Sequence, residues 1–510
     1  MSRIPGIGYW AEKAAVLHPE REALSVPGDG AVSYAELASG VRRAARILAA
    51  RGVRPGDHFG LLMLNDRRLV ELLLAAGRIG AVAVPLNWRL TAPELGFQIR
   101  DAGIRTLFVG PDVRDLGEAV AGETGVAMVR VPEEYDGAAD DPGPDSPVER
   151  VRLPGSDDPA LVVYTSGTTG RPKGVVLTHA NLFWNAINDV ITLGLGWQDT
   201  TLTVLPLTHV GGIGLFTLPT LLAGGRVVMT RSFDPAETLR LIEEERITIF
   251  LGVPTIHTML VQHPDFGSRD LSSLRMVLNG GDRCPLAVVE AYRSRGIPFG
   301  GGYGLTESAP TAFLPEPDSF ERSTRRPAFI GKTAFFTDAR IVREDGSEAG
   351  PEEPGELLLH GPNLFSEYLG RPEDTAAAVR DGWFHTGDLG VRDEAGYAYI
   401  AGRSKQLIKS GGENIDPAEV EEVLLRHPAV AEACVVGRRD SKWTEVPFAV
   451  VVTVDGARPS DEELREHCGG SLARFKIPKG FARVEALPRT SIGKPDRATL
   501  TATYGREEEG

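Results

Sequence analysis

The stretch YTSGTTGRPKG, from Tyr164 to Gly174, follows the apolar run LVV and combines threonine, serine and glycine with one lysine. Glycines let backbone N–H groups approach an anion closely, hydroxyls add donors and lysine supplies positive charge, so the loop suits phosphate. It departs from the Walker pattern G-x-x-x-x-G-K-[ST], because Gly174 follows Lys173. A single Thr-Ser-Gly tripeptide is usually a surface turn, but the full string is too specific for that interpretation. It predicts phosphate binding outside the P-loop class.

Strand and helix patterns alternate along the chain around this loop. The run Leu161–Gly167 predicts a buried strand, and apolar residues at helical spacing predict a helix over 180–193. Asp234 and Pro235 predict an N-cap and a first-turn proline for another helix. Further apolar runs predict strands at 226–230, 247–253 and 274–281. This alternation indicates α/β layers, in which helices flank largely parallel β-sheets.

The residues after 402 predict a smaller α+β domain. Capping residues predict two helix starts, at Asp416-Pro417 and at Ser460 with Glu463. Apolar runs predict strands at 430–438 and 447–454. The charged, glycine-flanked stretch Ala401–Glu413 predicts the boundary. We therefore expect domains at 1–402 and 403–510.

Composition and charge exclude several classes of protein. The 510 residues are 42% hydrophobic and 25% charged, with a net charge of −15. Nucleic-acid binding is not expected of so acidic a chain, because phosphate backbones demand clustered lysine and arginine. Cys284, Cys434 and Cys468 are widely separated and form no C-x-x-C pattern. This spacing speaks against a disulfide framework or a structural zinc site.

The chain shows no targeting or membrane signal. Its start, MSRIPGIGYWAEK, lacks the apolar run of a signal peptide. The longest uncharged run lies between Asp199 and Arg226, but prolines, His209 and several polar residues interrupt it. It never reaches the ~20 continuous apolar residues of a transmembrane helix. We expect no membrane span and a cytoplasmic protein.

A second cluster is GGGYGLTES, at Gly300–Ser308. Its glycines permit close backbone packing against a flat ligand, and the ring of Tyr303 is suited to stacking on a base. Glu307 offers a hard oxygen ligand of the kind that Mg²⁺ prefers. The dinucleotide pattern G-x-G-x-x-G cannot be laid over this segment. Taken alone, such a segment is more often a flexible loop than a site.

Three more residues complete the candidate groups. Asp388, in GWFHTGDLG, is placed to accept both hydroxyls of a ribose, although an aspartate in a turn is usually only a turn former. Arg403 in GRSK and Lys494 in PRTSIGKPDR add two cations, although an exposed lysine is normally solvated and idle. Together with the two clusters, these are the groups needed to activate a carboxylate with ATP. Attack on the α-phosphate builds negative charge, which lysine and Mg²⁺ stabilise where it develops.

With these motifs in this order, the sequence resembles the adenylate-forming superfamily of acyl-CoA synthetases, peptide-synthetase adenylation domains and luciferases. The resemblance covers nearly the whole chain, including an opening region at 33–57. The motifs that carry it are YTSGTTGRPKG, YGLTES, GWFHTGD, GRSKQLIKSGGENIDPAEVE and PRTSIGK. The resemblance implies a large N-terminal domain and a small mobile C-terminal domain that rotates about a hinge at Lys405.

The resemblance also implies roles in catalysis and nucleotide binding. The 164–174 loop is expected to grip the β- and γ-phosphates, Thr306 to contact the α-phosphate and Glu307 to hold Mg²⁺. Lys494 is expected to bridge the carboxylate and the α-phosphate during adenylation, and it counts as catalytic with Glu307, Thr306 and His209. The implied ATP- or AMP-binding residues are Thr165, Ser166, Gly167, Thr168, Thr169, Gly170, Lys173, Gly281, Asp282, Gly302, Tyr303, Gly304, Thr306, Asp388, Arg403 and Lys494.

Within that set, each end of the nucleotide has its own residues. Gly281 and Asp282, with Tyr303, are expected to flank the adenine. Asp388 and Arg403 are expected to bind the ribose. These assignments follow from the family likeness of the motifs NGGD, YGLTES, GWFHTGD and GRSK.

The acyl and thiol sites are implied in the same way. His209, in LPLTHVGG, matches a family histidine near the acyl carboxylate, although a lone histidine on an apolar run is more often a core residue. Gly301 and Gly302 are expected to line the acyl pocket. Residues around Ser410, Gly411 and Gly412 are expected to line the tunnel that admits the pantetheine arm of CoA.

The sequence departs from the family pattern at several positions. Thr208 and Gly301 stand where relatives commonly have an aromatic and a polar residue, so we expect a roomy pocket for a medium-chain, long-chain, aryl or polycyclic acid rather than acetate. Gln406 stands where an acid often follows the hinge lysine, and Pro495 where a β-branched residue often follows Lys494. These two changes bear on the dynamics of the small domain and leave the role of Lys494 intact.

The sequence thus predicts an acid–CoA ligase with ATP, Mg²⁺ and CoA. The acid and ATP are expected to give acyl-AMP and pyrophosphate, and the CoA thiol then gives the thioester. An acyl-AMP ligase that loads an acyl carrier protein is a second hypothesis, and a catalytically silent ligand-binding relative is a third. A homodimer is kept open.

Overall fold

A computed structural model shows how these segments fold. It describes residues 6–137, 154–165, 172–316, 319–320, 328–403, 408–410, 413–440, 443–490 and 494–506; the side chains at 403, 409, 413 and 414 are not part of this description. Packing divides the chain into two compact units. Unit 1 comprises Met1–Ala339 and Leu358–His385, and unit 2 comprises Arg340–Leu357 and Thr386–Gly510.

The helices of the described residues are numbered in chain order. They are α1 Gly8–Leu17, α2 Tyr34–Ala50, α3 Arg67–Ile79, α4 Ala92–Asp101, α5 Arg114–Thr124, α6 Glu133–Asp136, α7 His179–Leu193, α8 Leu218–Leu222, α9 Pro235–Glu244, α10 Pro254–Gln262, α11 Leu286–Ser294, α12 Pro372–Ala378, α13 Pro417–Leu425, α14 Asp461–Gly469 and α15 Arg497–Tyr504.

The strands of the described residues are numbered in the same way. They are β1 Glu22–Val26, β2 Gly30–Ser33, β3 His58–Leu62, β4 Val82–Pro85, β5 Thr106–Val109, β6 Ala127–Arg130, β7 Pro159–Thr165, β8 Lys173–Thr178, β9 Thr200–Thr203, β10 Arg226–Met229, β11 Ile249–Gly252, β12 Met276–Asn279, β13 Phe299–Gly301, β14 Phe313–Leu314, β15 Phe329–Thr333, β16 Asp338–Val342, β17 Gly355–His360, β18 Glu367–Tyr368, β19 Val379–Arg380, β20 Trp383–Arg392, β21 Ala398–Arg403, β22 Ile408–Ser410, β23 Glu413–Ile415, β24 Val430–Asp440, β25 Thr444–Thr453 and β26 Gly480–Arg483.

Two largely parallel sheets form the frame of unit 1. One has the order β13-β12-β11-β9-β10-β1-β2, and only β2 within it runs antiparallel to its neighbour. The other has the order β18-β8-β7-β4-β3-β5-β6, with β7, β8 and β18 paired antiparallel at one edge. Buried aliphatic and aromatic side chains, such as those of Phe250 and Leu61, are withdrawn from water on these sheets. The predicted α/β class is confirmed.

Local sequence signals set several helix starts. The Asp234 carboxylate accepts a hydrogen bond from Glu237 N–H at 2.8 Å, and Pro235 opens α9. Thr178 forms a capping box with Asn181 before α7, which therefore begins one residue earlier than predicted. In each case the cap satisfies backbone donors that have no partner inside the helix.

Unit 2 contains an α+β layer built from β22 to β26, α13 and α14. Strands β24 and β25 pair antiparallel along most of their length, and β26 adds to β25 in parallel. Ser460 and Glu463 form the predicted capping box of α14. This small α+β layer confirms the predicted second domain class. The boundary at 402/403 and rotation about Lys405 remain predictions, since Lys405 lies outside the described residues.

Two further features concern the whole of the described chain. In those ranges, no helix combines the length and the apolar character that crossing a membrane requires. The three cysteines are buried thiols. Burial raises the pKa of Cys284 to about 12 and that of Cys468 to about 11, so both stay protonated at neutral pH.

Candidate active site

The ends of the signature loop are fixed by an antiparallel pair of strands. Thr165, at the end of β7, lies opposite Lys173, at the start of β8. The Tyr164 hydroxyl donates to Asp101 Oδ2 at 2.8 Å, which ties β7 to the end of α4. Burial is the main cause that raises the pKa of Tyr164 above its ordinary value. The predicted residues Ser166 to Gly170 lie outside the described residues, so the structure places only the loop's two ends.

Lys173 has two neighbours from the segment after β17. Its Nζ lies 3.0 Å from Asp374 Oδ2, in α12. It also lies over the ring of Tyr368, 5.2 Å from the centroid. The side chain of Lys173 is only 15% exposed. The ammonium group is thus held between a carboxylate and an aromatic face.

Glu307 lies in a single 3₁₀ turn, Thr306–Ser308. The Tyr368 hydroxyl donates to Glu307 Oε1 at 2.8 Å, and Phe365 N–H donates to the Glu307 carbonyl at 2.8 Å. Burial, followed by the charge of Glu307, raises the pKa of Tyr368 above its ordinary value. Within unit 1, the structure therefore brings Glu307 and Lys173 to the same tyrosine.

A buried polar network supports this turn from behind. Thr311 donates from Oγ1 to Asp189 Oδ1 at 2.8 Å and from its N–H to Asn185 Oδ1 at 2.9 Å. Asn363 donates to the carbonyls of Ser308 and Thr311 at 3.0 and 2.7 Å. Burial raises the pKa of the Asp189 carboxyl well above its ordinary value, although the bonds from Thr311 and Asn185 act in the opposite direction. Burial of this carboxyl therefore favours its protonated form.

Close backbone approach requires glycine at position 304 and leaves little space at position 302. A Cβ on Gly304 would lie 1.6 Å from the Pro310 carbonyl oxygen, and one on Gly302 would lie 3.2 Å from that of Phe313. Tyr303 exchanges backbone hydrogen bonds with Phe313, and the two rings meet edge to face at 6.1 Å. Any side chain on Gly304 would displace the chain that leads into the turn.

Asn279 brings the predicted adenine-binding segments together. This residue ends β12 and is 5% exposed. Its carbonyl accepts from Gly302 N–H at 2.9 Å, and its side-chain amide donates to the Asp282 carbonyl at 2.7 Å. Gly281 has φ of +84°, a conformation that favours glycine. The structure thus places Gly281 and Asp282 beside Gly302 and Tyr303.

His209 follows a turn that a buried asparagine holds. Asn65, 2% exposed, accepts from Leu207 N–H at 2.8 Å and donates to the carbonyls of Leu205 and Thr230. The His209 carbonyl then accepts from Gly212 N–H at 3.0 Å, where a π-helical turn begins. Irregular turns of this kind recur at functional sites.

The π-helical segment joins the turn that carries Glu307. A Cβ on Gly214 would lie 2.4 Å from the Ala309 carbonyl oxygen, and the Gly214 carbonyl accepts from Asn185 at 2.7 Å. The segment after His209 is therefore packed directly against the chain after Glu307. The predicted acyl and catalytic residues of unit 1 are linked by these contacts.

The expectation for Gly301 needs one correction. A Cβ there would lie 2.5 Å from the Phe329 carbonyl oxygen. The glycine therefore serves the close approach of two chain segments, and its missing side chain leaves no extra space beside an acyl group. Thr208, in contrast, is a small residue that is 4% exposed, so the argument from bulk rests on this position.

In unit 2 the structure pairs the two predicted ribose residues along the backbone. Asp388, 3% exposed in β20, lies opposite Arg403 in β21. Thr386 accepts from Asp388 N–H at 3.0 Å and donates to the Leu357 carbonyl at 2.7 Å. The side chain of Arg403 lies outside the described part of the structure.

The remaining predicted residues of unit 2 are only partly described. Ser410 is 7% exposed in β22, where it pairs with Glu413 and Thr444. The Lys494 carbonyl accepts from Thr490 N–H at 2.7 Å, and Arg489 pairs with Pro495. Gly411 and Gly412, like Lys405, lie outside the described residues, so the tunnel and the hinge remain predictions.

The Glu307 carboxylate in unit 1 suits a Mg²⁺ site that takes few ligands from the protein. Within the described ranges, no three His, Cys, Asp or Glu side chains gather into a metal-binding group. A site built around the single carboxylate of Glu307 suits Mg²⁺, which commonly keeps several waters and takes substrate phosphate oxygens besides one or two carboxylates. The residues present therefore fit a metal that arrives with a nucleotide.

Comparisons with known proteins agree with this geometry. The model of the AMP-binding enzyme family matches residues 11–369, and that of the AMP-binding enzyme C-terminal domain matches residues 419–494. Feruloyl-CoA synthase from Amycolatopsis sp is 41% identical over 505 residues, covering 99% of this chain and 100% of that protein. Indoleacetate–CoA ligase from Aromatoleum aromaticum is 39% identical over 495 residues, covering 96% of each.

A solved structure gives the same fold. The o-succinylbenzoate CoA synthetase of Bacillus subtilis, in complex with an acyl-adenylate intermediate, superimposes with a TM-score of 0.88 at 34% identity over 98% of each chain. Its complex with ATP and magnesium ion gives 0.87 at 34% identity, over 98% of this chain and 100% of that one. The chain therefore belongs to the AMP-binding enzyme family of the adenylate-forming superfamily. The predicted activity, that of an AMP-forming acyl-CoA synthetase, is confirmed at this level.

Sequence reasoning missed the residues that support the site. Tyr368, Asp374, Asn65 and Asp189 belong to none of the recognised motifs, and Asn279, the first residue of NGGD, was given no role of its own. Asn279 alone gave a local signal, because a polar residue at the end of a buried strand is a common place for a functional group. The partners of Tyr368 and Asp189 lie too far away along the chain for any spacing rule to find them.

Proposed function

We propose that this enzyme activates an aryl or otherwise bulky carboxylic acid with ATP and transfers the acyl group to CoA. The main support for this proposal is the full-length similarity to ligases named for feruloyl and indoleacetate groups, at 41% and 39% identity. Thr208, small and buried beside His209, supports the choice because it removes bulk where relatives commonly have an aromatic residue. His209, Gly301 and Gly302 are proposed to border the acyl group.

The first half-reaction is proposed to take place on residues of unit 1 with Lys494. A carboxylate oxygen attacks the α-phosphorus of ATP, and pyrophosphate leaves with the electron pair of the broken P–O bond. Thr165 to Lys173 hold the outgoing phosphates, while Thr306 and Lys494 stabilise charge on the α-phosphate. Bound Mg²⁺, held by Glu307, would neutralise phosphate charge.

The nucleoside is proposed to lie on the segments that Asn279 joins. Gly281 and Asp282 border one face of the adenine, and the Tyr303 ring stacks on it, with Gly302 and Gly304 giving close approach. Asp388 and Arg403 bind the ribose. The pairing of these two residues across β20 and β21 supports this assignment, because it places both side-chain origins at one position of the hairpin.

The second half-reaction is proposed to use a CoA passage lined by Ser410, Gly411 and Gly412. The thiol sulfur attacks the acyl carbonyl, AMP leaves with the electron pair of the C–O bond, and the thiol proton goes to solvent. Rotation about Lys405 is proposed to exchange the two half-reactions, with domains at 1–402 and 403–510. An acyl carrier protein stays an alternative acceptor. A homodimer and a cytoplasmic location are further proposals.

A panel of acids tests the substrate proposal. Pyrophosphate release is measured with ferulate, indoleacetate, succinylbenzoate, decanoate and acetate, first without and then with CoA. We expect kcat/KM for at least one aromatic acid to exceed that for acetate by about a hundredfold, since each well-placed apolar group adds about 1–3 kcal/mol of discrimination. Comparable values for acetate would reject a site for bulky acids.

A further inference from the structure

Tyr368 lies in β18, which pairs with β8, the strand that begins with Lys173. It lies opposite Val175 in the antiparallel pair of β18 and β8, and Leu369 N–H donates to the Gly174 carbonyl at 2.8 Å. Its own N–H donates to Thr375 Oγ1 at 3.0 Å. The backbone of Tyr368 is therefore held on both sides, which fixes the origin of its side chain.

The side chain of Tyr368 contacts two of the candidate charged residues of unit 1, Glu307 and Lys173. Its hydroxyl donates to Glu307 Oε1 at 2.8 Å, and its ring lies under Lys173 Nζ at 5.2 Å from the centroid. The ring also packs on Phe365 at 4.8 Å between centroids, and the N–H of Phe365 donates to the Glu307 carbonyl. Ring and hydroxyl thus have fixed positions relative to the Glu307 turn.

We propose that Tyr368 is a positioning residue for the Mg²⁺·ATP complex, orienting Glu307 through its hydroxyl and Lys173 through its ring. The inference rests on the proposed function in one respect, namely that Glu307 holds the Mg²⁺ that accompanies ATP. The hydroxyl bond to Oε1 restricts rotation of the Glu307 carboxylate, which would hold the metal. The ring face keeps the ammonium of Lys173 near the strand start, where phosphate is expected.

The two effects are separable because they use different atoms. A hydrogen bond to a metal-ligating carboxylate fixes its orientation, and loss of such a partner typically weakens metal affinity by about 10–100-fold. A cation over an aromatic face is held by the quadrupole of the ring, which phenylalanine retains. Tyr368→Phe therefore removes only the contact to Glu307, and Tyr368→Leu removes both contacts.

The test measures equilibrium binding of ATP by calorimetry in the absence of the acid substrate. The dissociation constant is determined once with saturating Mg²⁺ and once with EDTA. For Tyr368→Phe we expect the dissociation constant in Mg²⁺ to rise about tenfold, while the values in EDTA and for AMP stay within about twofold of wild type. For Tyr368→Leu we expect an additional loss of about threefold in both media. The matched control is Tyr399→Phe, which removes a hydroxyl bonded to Asp393 Oδ2 at 3.2 Å in unit 2.

Each outcome decides between the hypotheses. Equal losses in Mg²⁺ and EDTA for Tyr368→Phe, or no loss, overturn the orienting role of the hydroxyl, and unchanged binding by Tyr368→Leu in EDTA overturns that of the ring. Glu307→Gln is measured beside them. If Mg²⁺ tightens ATP binding by Glu307→Gln as much as by wild type, the metal assignment of the proposed function fails. If Mg²⁺ no longer tightens ATP binding by Glu307→Gln but still does so fully for Tyr368→Phe, only the inference about Tyr368 fails.

Discussion

The Glu307 turn of unit 1 and the Lys494 hairpin of unit 2 carry proposed charged groups on contrasting supports. The turn is fixed by buried side chains from distant segments, through Asp189, Asn363 and Tyr368. The described part of the hairpin has backbone bonds from Thr490 N–H to the Lys494 carbonyl and from Asp496 N–H to the Pro488 carbonyl, and an exposed ion pair of Arg489. Buried hydrogen bonds are costly to break, whereas exposed ones contribute little.

The contrast suggests a division of roles. A residue that must present a carboxylate to a cation in one geometry benefits from a support in which every polar group is satisfied. A lysine that acts as a point charge on a flexible stem tolerates a weaker support. Changes in the turn are therefore expected to alter stability and activity together, and changes in the hairpin to alter activity alone.

The largest expected effect comes from Lys494→Ala. Loss of a cation that stabilises developing charge is expected to lower acyl-AMP formation by about 10²–10³-fold. Thioester formation from supplied acyl-AMP and the melting temperature stay close to wild type. Pyrophosphate release and direct assay of the thioester measure the two steps, with Lys479→Ala, another lysine of unit 2, as the control. Equal losses in both steps would show that Lys494 does not act specifically in adenylation.

A smaller effect, on stability as well as rate, is expected from Asp189→Ala. The change leaves the Thr311 hydroxyl without its acceptor in a fully buried place, which costs about 1–3 kcal/mol, whereas Asn185 keeps its bonds to Gly214 and Thr311. Thermal unfolding is expected at lower temperature, and adenylation is slower because the Glu307 turn loses its support. If the variant is destabilised but its adenylation rate is unchanged, the buried network does not support the function of the Glu307 turn.

Asp189→Asn tests the same buried network through the pH dependence of stability. The folded-state pKa of Asp189 is raised, so the folded protein holds a proton that the unfolded chain releases above about pH 3.9. The free energy of unfolding of the wild type therefore decreases as pH rises from about 3.9 toward the folded-state pKa of Asp189. Asparagine cannot ionise, so the stability of the variant relative to wild type is expected to rise by up to about 1.4 kcal/mol per pH unit. Unfolding at pH 5, 6 and 7 checks this, and a pH-independent difference contradicts it.

The smallest effect is expected from Arg489→Ala, next to the Lys494 hairpin. Arg489 pairs with Glu432 at 2.6 Å, with both side chains more than a third exposed. Such a pair contributes about 0–1 kcal/mol, so the melting temperature is expected to change little and adenylation by less than about fivefold. A loss as large as that of Lys494→Ala would mean that the hairpin depends on this ion pair, which would remove the contrast between the two supports.

The sequence predicted what depends on neighbouring residues. The cap at Asp234 and the capping box of Ser460 and Glu463 involve residues three positions apart, and the structure has both. The motifs around Tyr303 and Asp388 were found because each is contiguous. The parallel sheets followed from alternating strands and helices, since each apolar strand must be covered on both faces.

The supports of the site could not be predicted in this way. Tyr368 meets Glu307 across 61 residues, and Asp189 meets Thr311 across 122 residues. Gly301 was read as open space, whereas its neighbour is the Phe329 carbonyl, which the strand arrangement alone brings there. Contacts of this kind follow from tertiary packing, and a spacing rule within one segment contains no information about them.

The glycines around the Glu307 turn set the limits for redesign of substrate choice. Gly304 faces the Pro310 carbonyl at 1.6 Å from a hypothetical Cβ, and Gly331, with φ of +88°, faces that of Leu314 at 2.0 Å. A side chain at either position would force the neighbouring backbone to shift. At Gly211, two residues after His209, a Cβ would have only the Leu205 and Leu215 side chains near it, at 3.9 and 4.0 Å. A library for new acids is therefore better placed at Gly211 than at Gly304 or Gly331.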